Sequence, residues 1–151
     1  MDVYLRPDLF YFLQGRVEAD KLAGIDLRTS LGVGLGHKWT GGHNLDLNLG
    51  LGYSFVREAL SSGAENTEGT LLVTLDLDRD ISPNLTVEHR LLAYPQLSTG
   101  DYRLQAQTTF SSKIAKDLSF TLGFLNKYDS NPPPGFVKSD LTITSGIRKD
   151  F

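Results

Sequence analysis

The chain has three histidines, His37, His43 and His89, and histidine is the side chain most often used as a catalytic base. His89 lies in the run Glu88-His89-Arg90, which has the residue types of a catalytic set. Neighbouring residues of a strand point to opposite faces, so these three side chains would not converge on one substrate. His37 and His89 are in phase with apolar residues, and His43 falls in a turn. We therefore expect no enzyme activity.

A second candidate for chemistry is the acidic run DLDRD, in which Asp76, Asp78 and Asp80 alternate. Such spacing could suggest calcium, but the run lacks the glycine and the glutamate of a calcium-binding loop. No other segment has the spacing of metal ligands, and the absence of cysteine excludes thiol chemistry and disulfides. We expect no metal and no cofactor, and a lumenal or turn role for these aspartates.

Such residues would lie on β-strands. The clearest strand pattern is in Leu45–Phe55, with the sequence LDLNLGLGYSF. Its leucines, tyrosine and phenylalanine fall on one face of an extended chain, and Asp, Asn, Gly and Ser fall on the other. This period of two predicts a strand with one apolar and one polar face. The strand is about as long as a tilted strand that crosses a bilayer.

The same alternation recurs along the chain and predicts eight strands in a single domain, residues 1–151. Polar residues between them predict loops, of which Arg57–Gly69 and the Pro/Gly-rich Ser130–Lys138 are the longest. We expect an all-β fold, a closed eight-stranded antiparallel up-and-down transmembrane β-barrel. The predicted strands are Phe10–Asp20, Ile25–Trp39, Leu45–Phe55, Thr70–Arg79, Asn84–Tyr94, Tyr102–Ile114, Leu118–Tyr128 and Ser139–Phe151.

Composition excludes several other classes of protein. The formal net charge is −3, which gives no basic surface for nucleic acid. The mean hydropathy is −0.19, and the apolar runs are too short for a transmembrane helix. Transmembrane β-strands are not excluded by this, because their alternating apolar and polar residues give a low mean hydropathy.

The alternation fits two kinds of barrel, which differ in the face that points inward. A soluble barrel turns its apolar face inward and can hold an apolar ligand, whereas a membrane barrel turns it towards lipid. Glycine on the polar face favours the membrane barrel, because a narrow lumen needs small residues beside bulky ones, whereas glycine only weakens a strand that faces water. These glycines are Gly32, Gly34, Gly36, Gly50, Gly52 and Gly146.

Charges of both signs share the polar face. Eight strands leave an interior just wide enough for side chains to fill, so we expect a lumenal network of ion pairs rather than a water-filled pore. A narrow channel remains an alternative, which needs a continuous water path between the charges. The network is predicted to contain Arg16, Glu18, Asp26, Arg28, Asp76, Glu88, Arg90, Arg103 and Arg148.

Large aromatic residues occur towards the ends of the predicted strands. In a membrane barrel such residues form girdles at the two interfaces with water. In a soluble barrel they would lie in the core or at its rim. The predicted girdle contains Trp39, Tyr53, Phe55, Tyr94, Tyr102 and Tyr128.

Two stretches, Phe10–Gly36 and Tyr128–Phe151, carry a resemblance to a known family. Their shared features are an aromatic strand that ends in an aspartate, a G-x-D-x-R sequence before a Gly-rich strand, a Tyr-Asp pair, a Pro-rich loop and a terminal phenylalanine. Here these features fall on Asp20, Gly24, Asp26, Arg28, Tyr128, Asp129, Pro132–Pro134, Asp140 and Phe151. The chain resembles the salt-induced outer-membrane protein family of Gram-negative bacteria. Family members are usually longer, so the chain would correspond to their C-terminal eight-strand portion.

The resemblance implies a barrel in the bacterial outer membrane and implies no activity, because none is established for the family. Phe151 would act as the C-terminal signal read by the barrel-assembly machinery, although Lys149 stands where an apolar residue is usual. We expect a monomer with a structural or envelope-related role, a side-chain-filled polar lumen and the lipid bilayer as its partner.

Overall fold

A computed structural model describes residues 2–21, 24–41 and 44–149 of the protein. These residues form one antiparallel sheet of nine strands, and each strand pairs with the next one in the chain. The described residues contain no helix that could span a membrane. The strands are β1 (Asp2–Arg6), β2 (Leu9–Asp20), β3 (Ile25–Gly41), β4 (Leu45–Leu60), β5 (Glu65–Ser82), β6 (Leu85–Pro95), β7 (Tyr102–Ala115), β8 (Leu118–Asp129) and β9 (Ser139–Lys149).

The predicted all-β, up-and-down order is confirmed, but the strand number is corrected from eight to nine. The additional strand is β1, which pairs with Leu9–Phe12 of β2 across the tight turn at Pro7 and Asp8. Five residues are too few for alternation to stand out, so the strand depends on the pairing that the turn imposes. The two ends of the sheet are therefore β1 and β9, and within the described ranges they do not pair into the predicted closed barrel.

The predicted long loop Arg57–Gly69 is also wrong. β4 and β5 continue as a paired ladder through this region, with Glu58 opposite Asn66 and Val56 opposite Glu68. Only residues 61–64 turn, and Gly63 takes the positive φ of 83° that a tight turn favours. The region is polar because charged residues are tolerated on both faces of this hairpin, and polarity alone is a poor sign of a loop.

The sheet curls so that its polar face encloses an interior and its apolar face is exposed. Leu51 and Phe55 on the apolar face are 61% and 62% exposed, whereas Ser54 between them is 1% exposed. Side chains of strands that are distant in the sheet meet inside, as where Lys127 of β8 contacts Glu18 of β2. Of the two predicted orientations, the polar-inward one is therefore observed.

The register of the sheet has the stagger of a barrel. One row of directly paired residues begins at Phe10 of β2, crosses the sheet strand by strand and ends at Lys127 of β8. Lys127 then contacts β2 at Glu18 and Asp20, eight and ten residues beyond Phe10. Such a shift of register around the sheet is the geometry that tilted strands need in order to close. The row is Phe10, Gly36, Gly50, Thr74, Leu92, Gln105 and Lys127.

A small apolar core occupies part of the interior. Phe10, Phe12 and Leu72 are buried together, and Tyr94 packs against them. The phenylalanine rings fill space left by glycines, since a Cβ added at Gly36 would lie 2.2 Å from the Phe10 ring. The expectation that glycines on the polar face accommodate bulky neighbours is confirmed at these positions.

Candidate functional site

The chain connections divide the molecule into two ends. The connections 61–64, 96–101 and 130–138 lie at one end, which we call the loop end. The opposite turn end carries the short connections after β1, β3, β5 and β7. The loop end is where the interior is most highly charged.

A set of charged side chains from six strands meets there, and we call it the ion-pair layer. Its centre is Glu58 of β4, which accepts hydrogen bonds from Arg28 of β3 at 2.6 Å and from Arg103 of β7 at 2.7 Å. Arg103 also donates to Glu68 of β5. The Glu58 and Arg103 side chains are only 9% and 12% exposed, so their charges depend on one another. The layer consists of Arg16, Glu18, Asp20, Arg28, Glu58, Glu68, Arg103 and Lys127.

The rest of the layer is organised around Glu18 of β2. Lys127 of β8 lies 2.5 Å from Glu18 and 2.9 Å from Asp20, which links the eighth strand of the sheet to the second. Arg16 approaches Glu18 at 3.5 Å. Arg28 lies 4.0 Å from Glu18, which joins this half of the layer to the half around Glu58. The layer therefore runs across the interior from wall to wall.

The structure brings together four of the nine residues predicted for the lumenal network, namely Arg16, Glu18, Arg28 and Arg103. Asp76 and Arg90 form a separate ion pair between β5 and β6, nearer the turn end. Asp26 instead accepts a hydrogen bond of 2.7 Å from Ser61 in the turn after β4.

The remaining two predicted residues also lie apart from the layer. Glu88 on β6 is exposed and pairs in register with Asp78, and Arg148 on β9 is exposed and pairs in register with Ser119.

Most of the predicted girdle residues are exposed on the apolar face or adjoin one another there. Tyr53 and Phe55 make an edge-to-face contact with ring centroids 5.2 Å apart, and Tyr102 stacks on Tyr128 at 5.6 Å. Both pairs lie towards the loop end. Trp39 lies towards the turn end and stacks on His37 at 4.2 Å.

Tyr94 is a correction to the predicted girdle. It faces the interior, where its hydroxyl accepts a hydrogen bond of 3.3 Å from Gln14 and its ring packs on the apolar core. Its position in phase with Glu88 and Arg90 on β6 is the physical reason, because alternating residues share a face. Phe151, predicted as an assembly signal, and His43 lie outside the described residues.

The histidines that the structure describes are far from the ion-pair layer. His89 Nδ1 lies 2.9 Å from the Thr108 hydroxyl. His37 Nε2 lies 3.5 Å from an Asp8 carboxylate oxygen near the turn end. Within residues 2–21, 24–41 and 44–149 no group of three or more His, Asp or Glu is placed to hold a metal ion.

A cavity of about 340 Å³ adjoins the ion-pair layer at the loop end. The connection between β8 and β9 covers it, and the Phe136 ring from this connection rests on Gly24 in the β2–β3 turn, where a Cβ would lie 2.6 Å away. The charged wall of the cavity includes Arg16, Arg28, Arg103 and Lys127, and its other walls include Tyr94, Tyr128, Phe136 and Val137.

The comparison with known families extends over the whole chain. Residues 1–151 match the family described as "Protein of unknown function, DUF481". The chain belongs to the DUF481 family. No curated protein and no solved structure matches it. The outer-membrane character and the C-terminal portion implied by the sequence resemblance stay predictions.

The ion-pair layer of this DUF481 chain contains four residues that sequence reasoning did not assign to the network, namely Asp20, Glu58, Glu68 and Lys127. Glu58 and Glu68 lie within Arg57–Gly69, which the sequence predicts as a loop. Their signal was available, because alternation counted from Ser54 through Val56 places Glu58 on the polar face. Asp20 and Lys127 were on the predicted polar face, but their meeting depends on the stagger between β2 and β8.

Proposed function

We propose that this protein is an outer-membrane β-barrel with a structural or envelope-related role and no catalysis. One observation carries the proposal: large apolar side chains are exposed on the outer face while charged side chains lie inside. Leu31, Val33 and Leu35 of β3 are 55%, 56% and 57% exposed on one continuous stripe. A water-soluble monomer rarely exposes so large an apolar surface, whereas lipid requires one.

Closure into a transmembrane barrel is part of the proposal. Strands that cross a bilayer must pair with neighbours on both sides, since lipid offers no hydrogen bonds to a sheet edge. The stagger that brings Lys127 of β8 to Glu18 of β2 supports closure between β9 and the β1–β2 edge. The aromatic pairs Tyr53–Phe55 and Tyr102–Tyr128 at one end, and Trp39 at the other, support girdles at the two interfaces.

The partners that follow are the lipid bilayer and the barrel-assembly machinery of a Gram-negative bacterium, and the barrel acts as a monomer. The alternative of a soluble barrel with an apolar ligand inside is opposed by the polar interior. An apolar ligand in the cavity beside Tyr94 and Phe136 would also lie against the charged side chains of Arg28, Arg103 and Lys127.

The experiment is refolding into detergent, followed by gel electrophoresis of boiled and unheated samples. We expect the unheated protein to migrate differently from the boiled protein, because a closed barrel resists unfolding by the gel detergent. We also expect the protein to aggregate without detergent. A folded, monodisperse protein in plain buffer would overturn the proposal.

A further inference from the structure

The cavity at the loop end has the size and the lining of a site for a small molecule. Its volume of about 340 Å³ falls within the range of about 300–1,000 Å³ that is usual for small-molecule pockets. Ile25 of β3 and Val56 of β4, which are 3% and 1% exposed, contribute apolar lining. The rings of Tyr94 from β6 and Phe136 from the β8–β9 connection contribute more. An apolar group inside the cavity would therefore contact four different elements of the fold.

The charged side of the cavity is richer in bases than in acids. All four basic residues of the ion-pair layer line the cavity, but only two of its four acidic residues do, Glu18 and Asp20. The rest of the lining adds one base and two acids, so that it has five basic and four acidic residues in all. These additional charged residues are Lys138, Asp129 and Asp140. The excess of bases is thus at the ion-pair layer.

Two arginines of the layer have hydrogen-bond donors that no acid uses. Within the described residues the Arg16 side chain donates no hydrogen bond, and its Nε lies 3.5 Å from Glu18, beyond the usual hydrogen-bond length. Arg28 donates to Glu58 through Nε, and its Nη1 lies 4.0 Å from Glu18. The two side chains are 26% and 17% exposed and line the cavity, so a bound anion could accept hydrogen bonds from their terminal nitrogens.

The pairing of β2 with β3 places these arginines together. Arg16 is opposite Ser30 and Glu18 is opposite Arg28, which makes the two arginines diagonal neighbours on one face of the sheet. The N–H groups of a guanidinium lie in one plane and match the two oxygens of a carboxylate. The Glu18 carboxylate between them already has a cation of its own, because Lys127 lies 2.5 Å from it. A second carboxylate could therefore bind to the arginines from the cavity side.

We propose that the loop-end cavity binds a small organic carboxylate, with the carboxylate on Arg16 and Arg28 and the apolar body against Phe136. A purely apolar ligand would leave the guanidinium donors without an acceptor, and a carboxylate without an apolar body would leave the apolar lining uncovered. The class of ligand is therefore an amphipathic monoanion. The inference goes beyond the proposed function because it assigns a ligand, and it does not require that lipid surround the sheet.

The test is a ligand-observed NMR titration of the refolded protein with 3-phenylpropionate at neutral pH, with a titration into detergent micelles alone as the blank. Two analogues separate the contributions. 3-Phenylpropionamide has the same ring and chain without the charge, and acetate has the charge without the ring. We expect 3-phenylpropionate to bind with a Kd below about 1 mM, and about tenfold more tightly than either analogue.

Variants assign the binding to named side chains. Arg16→Gln should weaken binding of 3-phenylpropionate about tenfold and leave binding of the amide unchanged, because it removes only donors for the carboxylate. Phe136→Ala should weaken binding of the acid and of the amide alike, because it removes apolar contact. Arg57→Gln is the matched control, since Arg57 pairs with Glu65 at 2.9 Å on an exposed part of the β4–β5 hairpin. It should bind both compounds as the wild type does.

Three results would overturn the proposal: no saturable binding of 3-phenylpropionate above the blank, equal binding of the acid and the amide, or equal affinity of Arg16→Gln and the wild type for the acid. If Arg16→Gln loses the amide as well, its cavity has changed shape and Arg16→Lys decides. Arg16→Lys keeps the charge and should bind the acid more tightly than Arg16→Gln does, and failure to do so also overturns the proposal.

The site and the membrane barrel can fail separately. A protein that shows no band shift on the gel, or that stays folded in plain buffer, contradicts the membrane barrel. The same titration can then be carried out in plain buffer, and binding of 3-phenylpropionate there would leave the carboxylate site standing. A protein that shows the band shift but does not bind 3-phenylpropionate contradicts the site and leaves the barrel standing.

Discussion

At the residue scale, the packing of the interior depends on large side chains that lie against glycines, which have no side chain. Phe10 pairs in register with Gly36, and its ring lies where the Cβ of any other residue would be. A strand normally loses stability from glycine, so its presence here is explained by the volume of the ring beside it. Sequence reasoning could predict that the glycines face inward, but not which ring each one accommodates.

This matching predicts that Gly36→Val destabilises the protein by about 1–3 kcal/mol, the usual cost of overpacking a filled site. The Phe10 ring is 5% exposed and has little room to move away. Gly123→Val is the control, because an added Cβ would make only ordinary contact across the sheet, 3.8 Å from the Thr144 carbonyl oxygen, and it should be tolerated. The measurement is urea unfolding of the refolded protein, followed by tryptophan fluorescence of Trp39.

Partial rescue of Gly36→Val by Phe10→Leu would confirm that the two positions share one space, since residues in contact are energetically coupled. Equal effects of Gly36→Val and Gly123→Val would contradict the difference between a filled site at Gly36 and a site with room for a Cβ at Gly123.

At the element scale, the strands were predictable wherever apolar alternation was strong, and were missed where it was not. The predicted bounds of β3 and β8 lie close to the observed ones, because apolar residues alternate along most of both strands. The outer halves of β4 and β5 were assigned to a loop, because the run REALSSGAENTEG has no apolar face. Its ladder is held by backbone pairing and by the Arg57–Glu65 ion pair, which a search for apolar periodicity does not detect.

The β4–β5 hairpin gives a prediction for amide hydrogen exchange in the folded, detergent-solubilised protein. We expect slow exchange at residues 57–59 and 66–68 where their amides point across the ladder, because hydrogen-bonded amides exchange only when the structure opens. The amides of the exposed turn residues Ser62 and Gly135 should exchange rapidly by comparison. Fast exchange over the whole of Arg57–Gly69 would restore the predicted loop and remove the support for Glu58 in the ion-pair layer.

At the scale of the whole molecule, the sequence predicts the all-β up-and-down topology and the inward orientation of the polar face, but it predicts only part of the ion-pair layer. Alternation is a local property and placed Arg28 and Arg103 on the polar face. Which charges meet depends on the stagger accumulated over six strand pairings, as between Lys127 and Glu18. A register is fixed by every turn and bulge along the chain, so no single segment contains that information.

The environment of the outer face provides the last prediction, because a charge there has opposite consequences in lipid and in water. In a bilayer, Leu51→Arg should cost about 2–4 kcal/mol, as arginine does near the midplane of a membrane barrel. In water the same change would cost little, because Leu51 is 61% exposed. Thr144→Arg is the control, since Thr144 lies on the polar face of β9, which does not contact lipid in a membrane barrel. Unfolding of both variants by urea from phospholipid vesicles measures the difference. A large cost at Leu51 with a small one at Thr144 means that lipid contacts the apolar face, and equal small costs mean that water does.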